Sequence, residues 1–193
     1  MKNTDPFSIF SEWYQEAIEA GIKDPSIMTL ATVNGEGKPG ARIVLLKSFD
    51  KNGFVFYTNY QSRKGMDLEQ HPRAALVLHW RETGHQVRIE GASEKVPASV
   101  SDRYFKSRPR GSQLGAWASE QSREIPSRAS LEKSLKRCEL EFREQPVPRP
   151  PHWGGYRVIP DKIEFWSDRE SRMHDRMHFE KTDKGWVVKR LAP

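Results

Sequence analysis

The chain has a single cysteine, Cys138, among its 193 residues, so no disulfide can form within it. That excludes a small disulfide scaffold. Cys138 falls in the series Leu131, Leu135, Cys138 and Phe142, whose spacing is helical, so it reads as a buried core thiol. No stretch is long and apolar enough to span a bilayer. No apolar segment of signal-peptide type stands behind Met1-Lys-Asn-Thr-Asp-Pro6. A reducing, cytoplasmic setting is the expectation, with no membrane partner. The six histidines lack metal-ligand spacing, so no metal is expected. There is no GxGxxG, no Walker-type loop and no GxSxG, which removes the common nucleotide-binding and serine-hydrolase signatures.

Apolar residues make up only 36% of the chain, which fits a small core or a surface hidden in an oligomer. The formal net charge of +6 favours anionic partners. The cations are spread along the chain rather than gathered in a tail, so phosphorylated small molecules fit better than nucleic acid.

The pattern is of many short antiparallel strands with helices inserted. Asp5 caps a helix with Pro6 at its first position, and Phe7, Phe10, Trp13, Tyr14, Ala17 and Ile18 form one apolar stripe before the stop at Gly21. Strands are expected at 27–33, 40–49, 54–59, 74–80 and 86–96, with turns at 34–37, 50–53 and Gly84. Ser62 to His71 reads as a short helix. Segments 97–107, 113–119 and 127–143 also read as helices, and Arg108-Pro-Arg-Gly111 breaks the first two. Pro146 to Pro151 is a stiff connector. Strands are then expected at 156–159, 163–166, 177–181 and 186–191. The layout suggests a barrel or sandwich in a single domain over 1–193, with helix 1–21 packed on it.

Four basic constellations stand out. Arg42 and Lys47 lie at the ends of an apolar strand. Five residues apart, they point to opposite faces of an ideal strand, so one ligand meets both only if it is long or the strand is kinked. Otherwise they are strand-end cations reaching to water. Ser62-Arg63-Lys64 combines a cap hydroxyl with two cations at a helix start. Cations oppose the helix dipole there, so the pattern calls for an anion, although a solvated first turn is the plain alternative. Tyr104, Arg108, Arg110 and Ser112 surround a proline turn as a candidate phosphate site or an exposed basic loop. Arg172, His174 and Arg176 alternate, so in an extended chain they share one face, near Trp166 on the preceding strand. They form either an anion site or a solvated basic face.

These segments resemble the pyridoxine (pyridoxamine) 5′-phosphate oxidase family. The resemblance runs from about Pro6 to Pro193. It is carried by Arg42-Ile-Val-Leu-Leu-Lys47, Phe56-Tyr-Thr-Asn59, Ser62-Arg-Lys64, Ser107-Arg-Pro-Arg110, Gln113-Leu-Gly-Ala-Trp117, Trp153-Gly-Gly-Tyr-Arg157, Ile163-Glu-Phe-Trp166, Arg172-Met-His-Asp-Arg176 and Arg190-Leu-Ala-Pro193. Two departures accompany it. Few residues precede the first helix, where longer relatives carry an arm able to cover substrate. Ser171 and Met173 flank Arg172, where Asn or His before it and Leu after it are usual.

The resemblance implies an FMN-binding split β-barrel of Greek-key type, mainly β with inserted helices, and a homodimer with the flavin between subunits. It implies FMN contacts at Arg42, Ile43, Val44, Leu45, Leu46, Lys47, Tyr57, Thr58, Arg63, Lys64, Gln86, Gln121, Ser122, Trp166 and Arg176. It places the substrate phosphate on Lys47, Tyr104, Arg108 and Ser112. Arg172, Met173 and His174 contact the pyridine ring, with Arg172 and His174 as the catalytic pair. The implied reaction oxidises pyridoxine and pyridoxamine 5′-phosphates to pyridoxal 5′-phosphate with O2, releasing hydrogen peroxide, and ammonia from the amine. Other split-barrel flavoproteins, a non-catalytic pyridoxal phosphate carrier and a basic nucleic-acid-binding barrel remain as alternatives.

Overall fold

The structure, a computed structural model, describes residues 5–193. Its elements in order are α1 (Pro6–Glu19), β1 (Ile27–Val33), β2 (Pro39–Leu45), β3 (Ser48–Asp50), β4 (Gly53–Asn59), α2 (Arg63–Gln70), β5 (Arg73–Trp80) and β6 (His85–Lys95). Then follow α3 (Ala98–Ser107), α4 (Arg110–Ala118), α5 (Arg128–Glu141), β7 (Trp153–Ser167), β8 (Asp175–Thr182) and β9 (Gly185–Arg190). The strands pair antiparallel in the order β2-β1-β5-β6-β7-β4-β3, and β8 and β9 extend from β7. The fold is mainly β with inserted helices, in a curled split barrel.

The expected strand 40–49 is broken. β2 pairs with β1, β3 pairs with β4, and Leu46–Lys47 lies between them. Leu46 N–H donates to Ser26 O at 2.9 Å, and Lys47 N–H donates to Val55 O at 2.8 Å. Two successive amides therefore bond one to the chain leading into β1 and the other to β4, toward opposite ends of the strand order, and close the barrel at that seam. The break supplies the kink that an ideal strand through Arg42 and Lys47 lacks.

The expected strands 156–159 and 163–166 are one long strand, β7. Its first part pairs with both β4 and β6, and its last part with β6 and β8. The β6–β7 register shifts between Glu90 and Gly91, opposite Pro160. A Cβ on Gly91 would lie 2.0 Å from Ile159 O, so this close approach requires glycine. The bulge absorbs the proline that reads as a strand end in the sequence.

The core lies inside the barrel and under α1. Asp5 caps α1 by accepting from the N–H groups of Phe7 and Ser8, and Pro6 occupies the first turn. Phe10, fully buried, meets Phe49 and Phe54 edge-on at 4.6 and 4.9 Å. Burying such a ring contributes about 1.5–3 kcal/mol. A second cluster (Phe105, Leu114, Cys138, Phe142, Val147 and Trp153) fixes α3, α4 and α5 against the start of β7. Cys138 is buried there as a free thiol, and burial raises its pKa. No helix among the described residues is long and apolar enough to cross a membrane.

Candidate active site

Helix α2 starts as its sequence dictates. Ser62 is the N-cap, accepting from Gly65 N–H, while its own hydroxyl donates to Asn59 O. Arg63 is exposed at the first helical position. Lys64 is only 8% exposed, and its ammonium donates to Thr58 Oγ1 and Ser62 Oγ, both at 3.3 Å. Burial first, and the nearby Arg42 second, lower its pKa, while Asp67 opposes them. Arg42 donates to Thr32 Oγ1 at 2.6 Å, and Thr32 donates to the buried Asp67 at 2.6 Å. Asp67 also lies 3.6 Å from the Arg42 guanidinium. The helix start thus gathers three cations against one buried carboxylate, an arrangement that an anion completes.

Beside it opens a cavity of about 540 Å³ at the barrel seam. β2 and the seam contribute Ile43, Val44, Leu45 and Lys47, β4 and α2 contribute Tyr57, Thr58 and Lys64, and the chain from α3 to β7 contributes Tyr104, Arg108, Ser112, Gln121 and Trp153. Thr58 Oγ1 donates to Gln121 Oε1 at 3.3 Å. Arg108 makes no ion pair among the described residues, and its Nη1 is buried without a hydrogen-bond partner. Burial lowers its pKa, partly opposed by Tyr104. Burial also raises the pKa of Tyr57 and of Tyr104, so both remain phenols at neutral pH. Helix α4 begins after Pro109 without a side-chain cap, so its first turn and the Ser112 hydroxyl add free donors beside Arg108.

Other expected residues lie elsewhere. Arg110, a candidate phosphate ligand in the sequence, instead donates to Phe142 O and Gln145 O at the end of α5, where a cation suits the helix dipole. The Leu46 side chain is in the core, leaving only its backbone at the seam. Arg42 and Arg63 do not line the cavity. Ser122 is exposed with φ 72°, one residue beyond Gln121.

The remaining residues form a second cluster. Gln86, Trp166 and Arg176 are direct register partners across β6, β7 and β8, so they form one row on one face. His174 packs on Trp166 with ring centroids 4.5 Å apart and lies 3.0 Å from Asp168. Arg176 is held by the buried Glu164 and donates to Ala192 O at 2.8 Å. Arg172 is exposed, and both it and Ser171 have positive φ, 60° and 55°. Met173 and His174 line a separate open cavity of about 890 Å³ with Asp175, Arg190 and residues 191–193. The two cavities share no lining residue within one chain. Asn59 and Trp153 line the main cavity although sequence reading gave them no role. Their place inside the motifs Phe56-Tyr-Thr-Asn59 and Trp153-Gly-Gly was the available signal.

Residues 14–141 match the family model described as pyridoxamine 5′-phosphate oxidase, and residues 153–193 match the pyridoxine 5′-phosphate oxidase C-terminal dimerisation region. The chain belongs to the pyridoxamine 5′-phosphate oxidase family. It is 54% identical over 191 residues to the pyridoxine/pyridoxamine 5′-phosphate oxidase of Acaryochloris marina, covering 99% of this chain and 87% of that protein. It is 55% identical over 192 residues to that of Burkholderia cenocepacia, with 98% and 89% covered. Among solved structures, PhzG from Burkholderia lata 383, in complex with tetrahydrophenazine-1-carboxylic acid, superposes with a TM-score of 0.94 at 30% identity, covering 100% of this chain and 94% of that one. A pyridoxamine 5′-phosphate oxidase-related, FMN-binding protein from Nostoc punctiforme shares the fold, with a TM-score of 0.79 at 17% identity over 99% and 100% of the two chains.

Proposed function

We propose that the protein is an FMN-dependent oxidase of pyridoxine 5′-phosphate and pyridoxamine 5′-phosphate that works as a homodimer. The observation that carries this is Arg108, a half-buried cation whose Nη1 is buried without a partner, with no ion pair among the described residues, facing a cavity shared with Lys47, Tyr104 and Ser112. Two cations and two hydroxyls fit a phosphate dianion. Relatives named for this activity at 54% and 55% identity support it.

The α2 start fits the FMN phosphate on its own chemistry. Lys64, buried with only hydroxyl partners, and Arg63 supply charge, while Ser62 and Thr58 orient the ammonium. Arg42 backs them through Thr32 and Asp67. FMN held there would supply a two-electron acceptor for substrate carbon 4′ and a route for those electrons to O2. The chain's own residues bind and orient. Lys47, Tyr104, Arg108 and Ser112 hold the substrate phosphate, which fixes the distance of the reacting carbon. His174, set between Trp166 and Asp168, and Arg172 offer a proton acceptor and a cation toward the pyridine ring.

The separation of the two clusters supports the dimer. The β1–β2 ribbon turns Ile27, Val33, Ile43 and Leu45 outward, Ile43 being 61% exposed, next to the main cavity. An apolar face of this kind suits a second copy, and the match of residues 153–193 to a dimerisation region supports a homodimer independently of that face. The 172–176 segment of one subunit then completes the cavity of the other. The test is peroxide release from FMN-loaded protein on adding pyridoxamine 5′-phosphate. No peroxide with either phosphorylated vitamer would overturn the reading.

The match to PhzG supports a second reading, oxidation of a reduced, carboxylated tricyclic substrate. A carboxylate presents one charge where the cavity sets two cations, so the phosphate reading fits better. Turnover of such a carboxylate in the same assay, without turnover of the vitamers, would reverse the order.

A further inference from the structure

Trp153 opens β7 and is only 7% exposed, yet its ring lines the main cavity. The Arg108 guanidinium sits over that ring, 4.6 Å from its centroid, and 5.6 Å from that of Phe105. Tyr57 and Tyr104 stack at 3.9 Å, and both lie within 11° of parallel to the indole. Three rings thus form one aromatic slab under the phosphate end of the cavity. Gly155 makes room for it. Gly155 faces Tyr57 in register, and a Cβ there would fall 2.8 Å from the tyrosine ring.

Arg108 is half-buried with its Nη1 enclosed, and a carboxylate against such a guanidinium would cancel its charge and repel a phosphate. An aromatic face holds a guanidinium without neutralising it. Arg108 also has room to move without that face. The main cavity runs on into a hollow of about 280 Å³ with which it shares Asn59, Arg108, Ser112, Gln121 and Trp153, and whose remaining lining is Gly115, Ala116 and Ser119. We propose that Trp153 is a positioning residue that keeps Arg108 charged, unpaired and aimed into the main cavity, and so sets the preference for phosphorylated substrates. The proposal rests on the reading of Arg108 as the phosphate anchor.

The test uses the FMN-loaded protein with pyridoxine 5′-phosphate and free pyridoxine, alongside calorimetric titration with inorganic phosphate. Trp153→Leu should raise KM for the phosphorylated substrate about five- to thirtyfold, the range that a desolvated cation–π contact supplies. The parental kcat and FMN affinity should persist, and free pyridoxine should be affected little. Inorganic phosphate should bind the variant correspondingly more weakly. Trp153→Phe, which keeps a weaker π face, should fall between parent and Leu. Equal KM changes for both substrates, or FMN affinity falling in step, would overturn the proposal. If Trp153→Leu does not fold, Trp153→Phe decides, and a parental KM in that variant sinks the idea. Arg108→Ala in the same assay separates the two levels. A parental KM there removes the anchor reading itself, whereas a raised KM beside parental Trp153 variants removes only the role of the indole.

Discussion

Glu164 grips Arg176 with both carboxylate oxygens, Nε to Oε1 at 3.2 Å and Nη2 to Oε2 at 2.9 Å. Glu164 is only 6% exposed, and Arg88 approaches the same oxygen at 3.8 Å. The hydrogen bond to Glu164 is the main reason that the Arg176 pKa is raised. Removing Arg176 leaves the buried Glu164 with only the longer Arg88 contact, so the loss is part of the roughly 3–5 kcal/mol that an unpaired buried charge typically costs. Arg176→Ala should therefore lower stability in urea unfolding and weaken FMN binding as well. Adding Glu164→Gln should recover part of the stability, because the stranded carboxylate is gone, but not the FMN affinity. Recovery of both together would mean that Arg176 serves only the fold.

The two cations at the start of α2 make a separate prediction. Arg63→Ala with Lys64→Ala should weaken FMN by a few kcal/mol, each charge-assisted contact being worth about 1.5–3 kcal/mol. Riboflavin lacks the phosphate, so it should bind the parent poorly and barely notice the change. Fluorescence titration of both flavins checks this, and equal losses for the two would assign these residues to the fold.

Much of the frame behind these sites is legible in the sequence because its signals are local. Asp5-Pro6 fixes the start of α1, Ser62 the start of α2, and apolar runs between turn residues fix most strands. What is not legible depends on contacts far apart in the chain. The break at Leu46–Lys47 hides in a continuous apolar run, because it is set by Ser26 before β1 and Val55 in β4, toward opposite ends of the strand order. Pro160 reads as a strand end until the bulge at Gly91 receives it. Arg110 belongs to a basic cluster in sequence but turns to the carbonyls at the end of α5. The role of Trp153 is invisible without the stacking distances.

His85 gives a pH prediction. It is stacked on Trp13 at 3.8 Å and lies 3.5 Å from Glu16, joining α1 to β6. Burial lowers its pKa below the ordinary 6.5, Arg169 pushes the same way, and Glu16 opposes them. Between the folded pKa and 6.5 the unfolded chain binds more protons than the folded one, so stability falls as pH drops through that window. Above 6.5 this contribution is constant. His85→Phe should keep the stack and flatten the acid side of a stability–pH curve measured by urea unfolding. An unchanged slope between pH 7 and pH 5 would place the acid sensitivity elsewhere.

The last prediction concerns the segment that carries Arg172 and His174. Ser171 and Arg172 both hold left-handed backbone angles, which cost free energy in residues with a Cβ and persist only where the surroundings enforce them. The turn brings His174 onto Trp166 and its Nδ1 within 3.0 Å of Asp168 Oδ1. A hydrogen on Nδ1 directed at that carboxylate leaves Nε2 as the acceptor nitrogen of the ring. Arg172 is exposed two residues before His174, whereas Arg176 is tied to Glu164 and Ala192. The phenotypes should divide accordingly. Arg172→Ala and His174→Ala should keep bound FMN and its visible spectrum, yet slow single-turnover flavin reduction by pyridoxine 5′-phosphate on the order of 10²-fold, as expected for a polar group lost at a reacting centre. Arg176→Ala should lose flavin first. Stopped-flow reduction of each FMN-saturated variant provides the measurement. Parental reduction rates in both Arg172→Ala and His174→Ala would remove these residues from the reaction and leave the main cavity alone to account for catalysis.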